Sequence, residues 1–363
     1  MTLRLLLLST PVGPIGSGLG GGVEFTVINL AKTLANRGHP VTIVAPAGSE
    51  ISAEHTEVRL VQIKGDWQST AQSQRRTEPA TTSAVLANMW GYARRVEQDY
   101  DLLVNFAYDW LPFYLTPFFE VPVAHFVSMG SLSNVMDNAI ALVADQFPHS
   151  LGAYTETQAN TFKSVPLKAW TILSCGLDIS RYPYCAEPEG FIAWVGRISP
   201  EKGLEDAITF ATQSHVRLKI YGKIEDDAYW LKLQDQIESC QTDIEYCGFL
   251  TDKLWPQVSL AQAMVMTPKW IEAFGIVAIE ALACGVPVIS YARGGPTEIV
   301  QNGKTGWLVP PDDVDALSEA ATRIPEISRL RCREQVEASY TLSAWGDRFE
   351  RWFSQLLSST ISS

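Results

Sequence analysis

The sequence predicts an α/β protein made of two parallel-sheet domains, and three observations carry that prediction. The chain has 363 residues, more than one ordinary core holds and enough for two. It opens on a buried strand at residues 3–9, a glycine-dense loop, a helix from near Val23 to Gly38 and a second strand at 41–45, the order that feeds a parallel sheet. After a Pro- and Glu-rich stretch at 183–190, a second apolar strand at 191–195 runs into another glycine-bounded loop at 196–203. That stretch reads as a linker, dividing a domain over residues 1–182 from one over 183–340.

Composition narrows the class. Hydrophobic content of 46% against 19% charged residues describes a soluble protein with ample core. The formal charge is −12, and no run of Lys or Arg breaks that balance, which argues against nonspecific nucleic-acid binding. An anionic ligand would have to be held by a few placed cations. The six cysteines form no C-x-x-C pair and read as reduced, buried thiols of a cytoplasmic protein. The apolar run at 5–8 is too short for a signal peptide, and no segment nears the roughly 20 apolar residues of a membrane span.

In the first half, the loop TPVGPIGSGLGGGVE is too long and too glycine-dense for the tight G-x-G-x-x-G turn, and Val44-Ala45-Pro46 supplies no acidic ribose ligand. Residues 64–83, polar around Arg75 and Arg76, read as a loop able to close over a substrate. A helix at 84–96 and a strand at 101–106 lead to Tyr108-Asp109-Trp110. Ligands of open α/β sheets sit at such strand ends, so this trio is a candidate acceptor wall. Equally, Asp109 would cap the helix starting near Trp110. The strand at 121–127 ends at Ser128, and within it His125 alternates with apolar neighbours, as a core histidine does.

In the second half, Arg197 at a strand end and Lys202 at the next helix entrance set two cations together. A forked guanidinium beside a point charge suits a diphosphate. Strands at 218–220 and 244–250 follow, the first with Lys223 just beyond it. Residues 266–311 then read as a strand end, the turn Phe274-Gly275-Ile276, an apolar helix, a strand restarting at Val286, and a second glycine turn. The turn offers backbone N–H groups at a helix N-terminus, where phosphate and sugar oxygens bind well. Glu272 and Glu280 flank it, either aiming carboxylates into one cleft or serving as a helix-end charge and a core carboxylate. Asp313 and Asp315 form a D-x-D pattern after two prolines, which fits helix capping better than metal binding. The last helix, 342–357, carries Trp345, Phe349, Trp352, Phe353 and Leu356 on one stripe.

Taken together, P-x-x-x-E-x-F-G-x-x-x-x-E-A-x-A-C-G-x-P-V from Pro268, then GG-x-x-E-I-V and G-x-T-G-x-L-V, resembles the motif of family-4 glycosyltransferases, retaining enzymes of the GT-B fold. Gly196-Arg197 to Lys202-Gly203 resembles the family's G-R-x-x-x-x-K-G element, and Gly21, Gly22 and Glu24 match its GG-x-E loop. The resemblance implies two Rossmann-like domains facing a cleft, with residues 341–363 crossing back to the first. It implies transfer of a sugar from a UDP-sugar co-substrate with retention, without metal or other cofactor. Arg197, Lys202 and Glu272 would be catalytic. Gly21, Gly22, Phe249, Leu250, Phe274, Gly275, Ile276 and Glu280 would join them in holding the donor, with Glu280 on the ribose diol and residues 249–251 near the base. Glu24, Tyr108, Asp109, Trp110 and Ser128 would face a small hydroxylated acceptor. Ser128 stands where many relatives carry a histidine. The stretch STPVGPIGSGLGGGVE is also similar to that of UDP-glucose-dependent pteridine glucosyltransferases, implying tetrahydrobiopterin against walls of Tyr108, Trp110 and Phe126. A sugar, lipid or polysaccharide acceptor, a nucleotide-sugar 2-epimerase and a noncatalytic UDP-binding module are the other readings of the same cleft.

Overall fold

The computed structural model describes residues 2–17, 21–51, 57–68 and 83–361, the side chains of 360 and 361 excepted. Arg75 and Arg76 of the expected closing loop lie outside the described residues. The chain forms two compact units, Met1–Gly176 with Leu342–Ser363, and Leu177–Thr341.

In the first unit β1 (Leu5–Leu8) leads through a loop to α1 (Gly22–Asn36), β2 (Val41–Pro46) and β3 (Val58–Ile63). Next come α2 (Val85–Val96), β4 (Leu102–Asn105), α3 (Trp110–Leu115) and β5 (Val123–Val127), then α4 (Asn134–Gln146), β6 (Leu151–Ala153), α5 (Glu156–Ala159) and β7 (Trp170–Ile172). All pairings are parallel, in the order β3-β2-β1-β4-β5-β6-β7. Every residue of β1 and β5 is buried, because helices cover both faces of a parallel sheet and its inner strands must be apolar throughout. The sequence reading did not find β3, an edge strand with Arg59 and Gln62 exposed, or the amphipathic α4.

The second unit runs β8 (Phe191–Val195), α6 (Leu204–Ser214), β9 (Arg217–Tyr221), α7 (Asp227–Ser239), β10 (Ile244–Gly248) and α8 (Leu254–Val258). It continues through β11 (Ala263–Met266), α9 (Ile276–Ala283), β12 (Val288–Tyr291), α10 (Pro296–Ile299), β13 (Gly306–Val309), α11 (Val314–Thr322) and α12 (Arg329–Ser339). Its parallel order is β10-β9-β8-β11-β12-β13. The apolar faces of α6, α7 and α11 close one side of this sheet around Trp194, Phe210 and Tyr291.

The chain enters this unit at Leu177, earlier than the linker expected at 183–190. The Leu177 N–H donates to Tyr340 O at 2.7 Å, Arg333 donates to Tyr182 O at 2.8 Å, and Glu189 N–H donates to Leu260 O at 2.6 Å. The Pro- and Glu-rich stretch is therefore hydrogen-bonded into the second unit and is no free spacer. The last helix, α13 (Leu342–Ile361), belongs to the first unit. Trp345, Phe349, Trp352 and Phe353 are fully buried, and the Trp352 indole N–H donates to His149 O at 2.7 Å. Arg37 at the end of α1 fixes the other face through Asp347 and Glu350.

Candidate active site

In the second sheet β8 and β11 are neighbours, with β9 and β10 on one side and β12 and β13 on the other. The strand order reverses there, and crevices outside the carboxyl ends of such a pair are where open α/β sheets hold ligands. The loops leaving these two strands carry the candidate donor residues, and they are locked together. Thr267 Oγ1 donates to Gly203 O at 2.7 Å and Lys269 N–H to Glu201 O at 2.9 Å. Gly203 has φ +64°, and a Cβ on it would lie 2.1 Å from Thr267 O, so only glycine permits this approach.

Lys202 thereby meets Glu272: its Nζ donates to Oε2 at 2.5 Å. The Trp270 indole N–H donates to the same oxygen at 3.2 Å, and the ammonium lies 5.1 Å from the Trp270 ring centroid. Arg197 pairs with Glu201 at 3.1 Å and with Glu225. The two motifs thus meet in space, Lys202 paired with one carboxylate and Arg197 with two.

A charged clamp holds the loop that bears Trp270 and Glu272. Arg293 donates to Pro268 O at 2.8 Å and pairs with Asp312 at 2.5 Å; Lys269 pairs with Asp312 at 3.0 Å and with Asp206. Hydrogen bonds from Arg293 and Lys269 pull the Asp312 carboxyl down to about 2. Glu272 O accepts from Gly295 N–H at 2.7 Å, and a Cβ on Gly294, φ +78°, would lie 2.2 Å from that oxygen.

Gly275, φ +90°, starts α9 with no side-chain cap, and Phe274 is buried before it. Glu280, just over one turn along, accepts from Tyr182 O–H at 2.8 Å. Burial pushes its carboxyl up to about 7, while hydrogen bonds from Tyr182 and Trp255 and the charge of Arg181 pull the other way. Glu272 and Glu280 have separate sets of hydrogen-bond partners, Lys202 and Trp270 for the first and Tyr182 and Trp255 for the second. Phe249 is exposed and Leu250 half-buried just past β10, which turns at Gly248 before reaching them.

In the first unit the order reverses between β1 and β4, and the acceptor candidates sit at the carboxyl ends of β1, β4 and β5. Gly21 and Gly22 open α1 exposed, whereas Glu24 is buried and accepts from Gly16 N–H at 3.1 Å and from Ser17 O–H at 3.4 Å. Its carboxylate therefore braces the glycine loop. The Tyr108 O–H donates to Gly130 O at 3.0 Å, and burial pushes the phenol up to about 12. Asp109 Oδ1 accepts from Leu111 N–H at 2.9 Å, the capping alternative. Trp110 is 47% exposed, and Ser128 is buried at the end of β5. Phe126 is not a wall: it is 1% exposed and packs edge-on against Tyr154 at 4.6 Å. A strand buried on both faces has no outward-pointing position to give it.

His125 is a core residue stacked on Phe113 at 4.3 Å. Asn105 uses its carbonyl on Ala107 N–H, so its amide donates to His125 Nδ1 at 3.2 Å. Nε2–H then donates to Thr116 Oγ1 at 2.8 Å, whose hydroxyl passes on to Pro112 O. The ring is neutral, its pKa lowered by burial to about 3. Asp313 caps α11 through Ala316 N–H at 2.9 Å. All six cysteines are free, but Cys185, Cys240 and Cys247 are partly exposed rather than buried. Trp270, Tyr182 and the Arg293–Asp312–Lys269 clamp were missed by sequence reading; an indole two residues before a motif glutamate was the available signal.

The fold and the two strand-order reversals define the class: an α/β protein of the GT-B fold. Residues 20–127 match the model described as Glycosyltransferase Family 4, and residues 185–339 the model described as Glycosyl transferases group 1. Each unit thus matches a glycosyltransferase family model over part of its length. It is similar to the 2-deoxystreptamine N-acetyl-D-glucosaminyltransferase of Streptomyces fradiae, 31% identical over 36% of this chain and 32% of that protein. It is 24% identical to the D-inositol 3-phosphate glycosyltransferase of Corynebacterium jeikeium, over 87% of this chain and 88% of that one. The chain spans well under half the length of several curated relatives it matches, among them the first and a glycogen synthase of Mycobacterium tuberculosis at 42%. Among solved structures, Alr3699/HepE of Anabaena in complex with UDP superposes with a TM-score of 0.78 at 16% identity, over 97% of this chain and all of that one. Sucrose-phosphate synthase of Thermosynechococcus elongatus gives 0.77 at 20% identity, over 98% and 99%. At those identities the likeness is one of fold.

Proposed function

We propose that the protein is a retaining glucosyltransferase that moves glucose from UDP-glucose to a small hydroxylated acceptor, tetrahydrobiopterin being the first to try. The observation that carries the donor half is the Lys202–Glu272 pair, set with Arg197 and the uncapped start of α9 around one strand-order reversal. Solved relatives of this fold hold UDP and UDP-glucose, which supports the same donor class here.

Cleavage of the bond between the anomeric carbon and the diphosphate leaves negative charge on phosphate oxygen. Arg197, Lys202 and the α9 N-terminus meet that charge, and no metal is required for it. Glu272 would hold sugar hydroxyls, Glu280 the ribose diol, and the backbone at 249–250 the base. This reading assigns no carboxylate among the described residues as a nucleophile: the acceptor oxygen would attack the face the diphosphate leaves, and its proton would pass to the departing phosphate oxygen.

The acceptor edge comprises Tyr108, Asp109, Trp110 and Ser128, with Glu24 bracing the loop above it. Phe126, being buried, adds nothing to a pteridine pocket. A saccharide acceptor is the second reading, favoured by the exposed aromatic row Trp110, Tyr114 and Phe118, whose ring centroids lie 5.5 and 5.8 Å apart. Free thiols fit a cytoplasmic enzyme, and among the described residues no helix is long and apolar enough to cross a membrane.

Calorimetry against a panel of UDP-sugars, then acceptor screening by mass spectrometry, tests the reading. UDP-glucose binding and an α-glucoside product with a pteridine support it, and a glycan product selects the second reading. Turnover of a UDP-sugar to its epimer without acceptor overturns both.

A further inference from the structure

Trp270 touches both members of the candidate donor pair through different interactions. Its indole N–H donates to Glu272 Oε2 at 3.2 Å, the oxygen that Lys202 Nζ meets at 2.5 Å, and its ring lies 5.1 Å from that ammonium. The first is a charge-assisted hydrogen bond and the second a cation–π contact. The two residues before Trp270 are held by contacts that use neither side chain of the pair: Arg293 on Pro268 O, Lys269 N–H on Glu201 O, and Lys269 Nζ on Asp312 and Asp206.

We propose that Trp270 is a positioning residue of the donor site, which keeps Glu272 aimed at the sugar when Lys202 leaves it for the donor diphosphate; this rests on the function proposed above. A diphosphate carries more negative charge than one carboxylate and competes for the ammonium. As Lys202 turns away, Oε2 loses one of its two partners. The indole N–H stays, because the clamped loop fixes it, and the carboxylate keeps its direction while Oε1 meets a sugar hydroxyl. The ring face meanwhile attracts the ammonium in both of its positions.

The test compares Trp270→Phe, which keeps an aromatic ring without the N–H, with Trp270→His, which restores a ring N–H. Dissociation constants for UDP and for UDP-glucose are measured by calorimetry, together with melting temperature. In Trp270→Phe, UDP affinity stays within twofold of wild type while the ratio of the two constants shifts about tenfold against UDP-glucose, the size of one charge-assisted hydrogen bond. Trp270→His recovers most of that ratio, and melting temperatures stay together. An unchanged ratio in Trp270→Phe overturns the inference, as does a joint fall of both affinities and of melting temperature, which marks a packing role. A wild type that binds neither ligand overturns the proposed function and this inference with it. Should Trp270→Phe not fold, Trp270→His against Trp270→Met carries the same contrast.

Discussion

Replacing Glu280 with glutamine separates a ligand contact from a scaffold contact, because the two effects have opposite signs. Burial holds the Glu280 carboxyl near 7 against an ordinary value of 4.5. Below about pH 4.5 the group is protonated in both folded and unfolded chains and costs nothing. Between about 4.5 and 7 the unfolded chain releases its proton while the folded one keeps it, so stability falls as pH rises. Above 7 the loss is complete, on the order of 3 kcal/mol for a shift of this size. Glutamine keeps the shape and an oxygen for the Tyr182 hydroxyl but carries no charge. At pH 8 Glu280→Gln should therefore melt above wild type by roughly 6–12 °C, and at pH 4.5 the two should coincide. UDP affinity at pH 8 should fall by about one to two orders of magnitude, because a neutral amide accepts ribose hydroxyls less strongly. Calorimetric UDP titrations and thermal melts at both pH values test this. A variant that melts below wild type at pH 8 would refute the burial argument, and unchanged UDP affinity would refute the ribose role.

Arg197→Ala or Lys202→Ala should lower kcat/KM by roughly 100-fold or more with little change in melting temperature; near-normal turnover in both removes the diphosphate assignment. EDTA should leave transfer intact, and activity lost and then restored by magnesium or manganese contradicts a cation pair that works without metal. Arg293→Met should speed hydrogen exchange at the Lys269 amide and reduce kcat by about 10- to 100-fold, the cost of an ångström-scale misplacement, with UDP affinity held. Exchange at the wild-type rate would mean the clamp is decorative.

Much of this was legible where a residue's role is local. The strand and helix plan, the Asp313 cap and the core nature of His125 follow from alternation, turn residues and apolar neighbours, which act over a few positions. Asp109 stayed ambiguous because cap and wall need the same residue at the same place, and the Leu111 contact of one carboxylate oxygen adds the cap without removing the wall. Phe126 was misplaced because its strand is buried on both faces, a property of the whole sheet. The joining of Lys202 to Glu272, 70 residues apart, depends on β8 and β11 becoming neighbours, which no window of sequence shows. Trp270 lies in a loop without periodicity, and its meaning comes from what the clamp brings to it. Tyr182 was read as the end of a domain, while the hydrogen bonds around Leu177 and Tyr182 make it part of the next.

The first unit leaves off at Gly176 and is completed only by residues from Leu342 onward, and this sets a schedule for synthesis. On the ribosome, the surface against which Phe349 packs, including Phe126, waits on the order of ten to thirty seconds for its last helix, while the whole second unit is made. The second unit, unbroken from Leu177 to Thr341, holds all of its own core segments by then. The half translated first is therefore the half that matures last. In the interval it shows the nascent-chain machinery the apolar floor that α13 will cover.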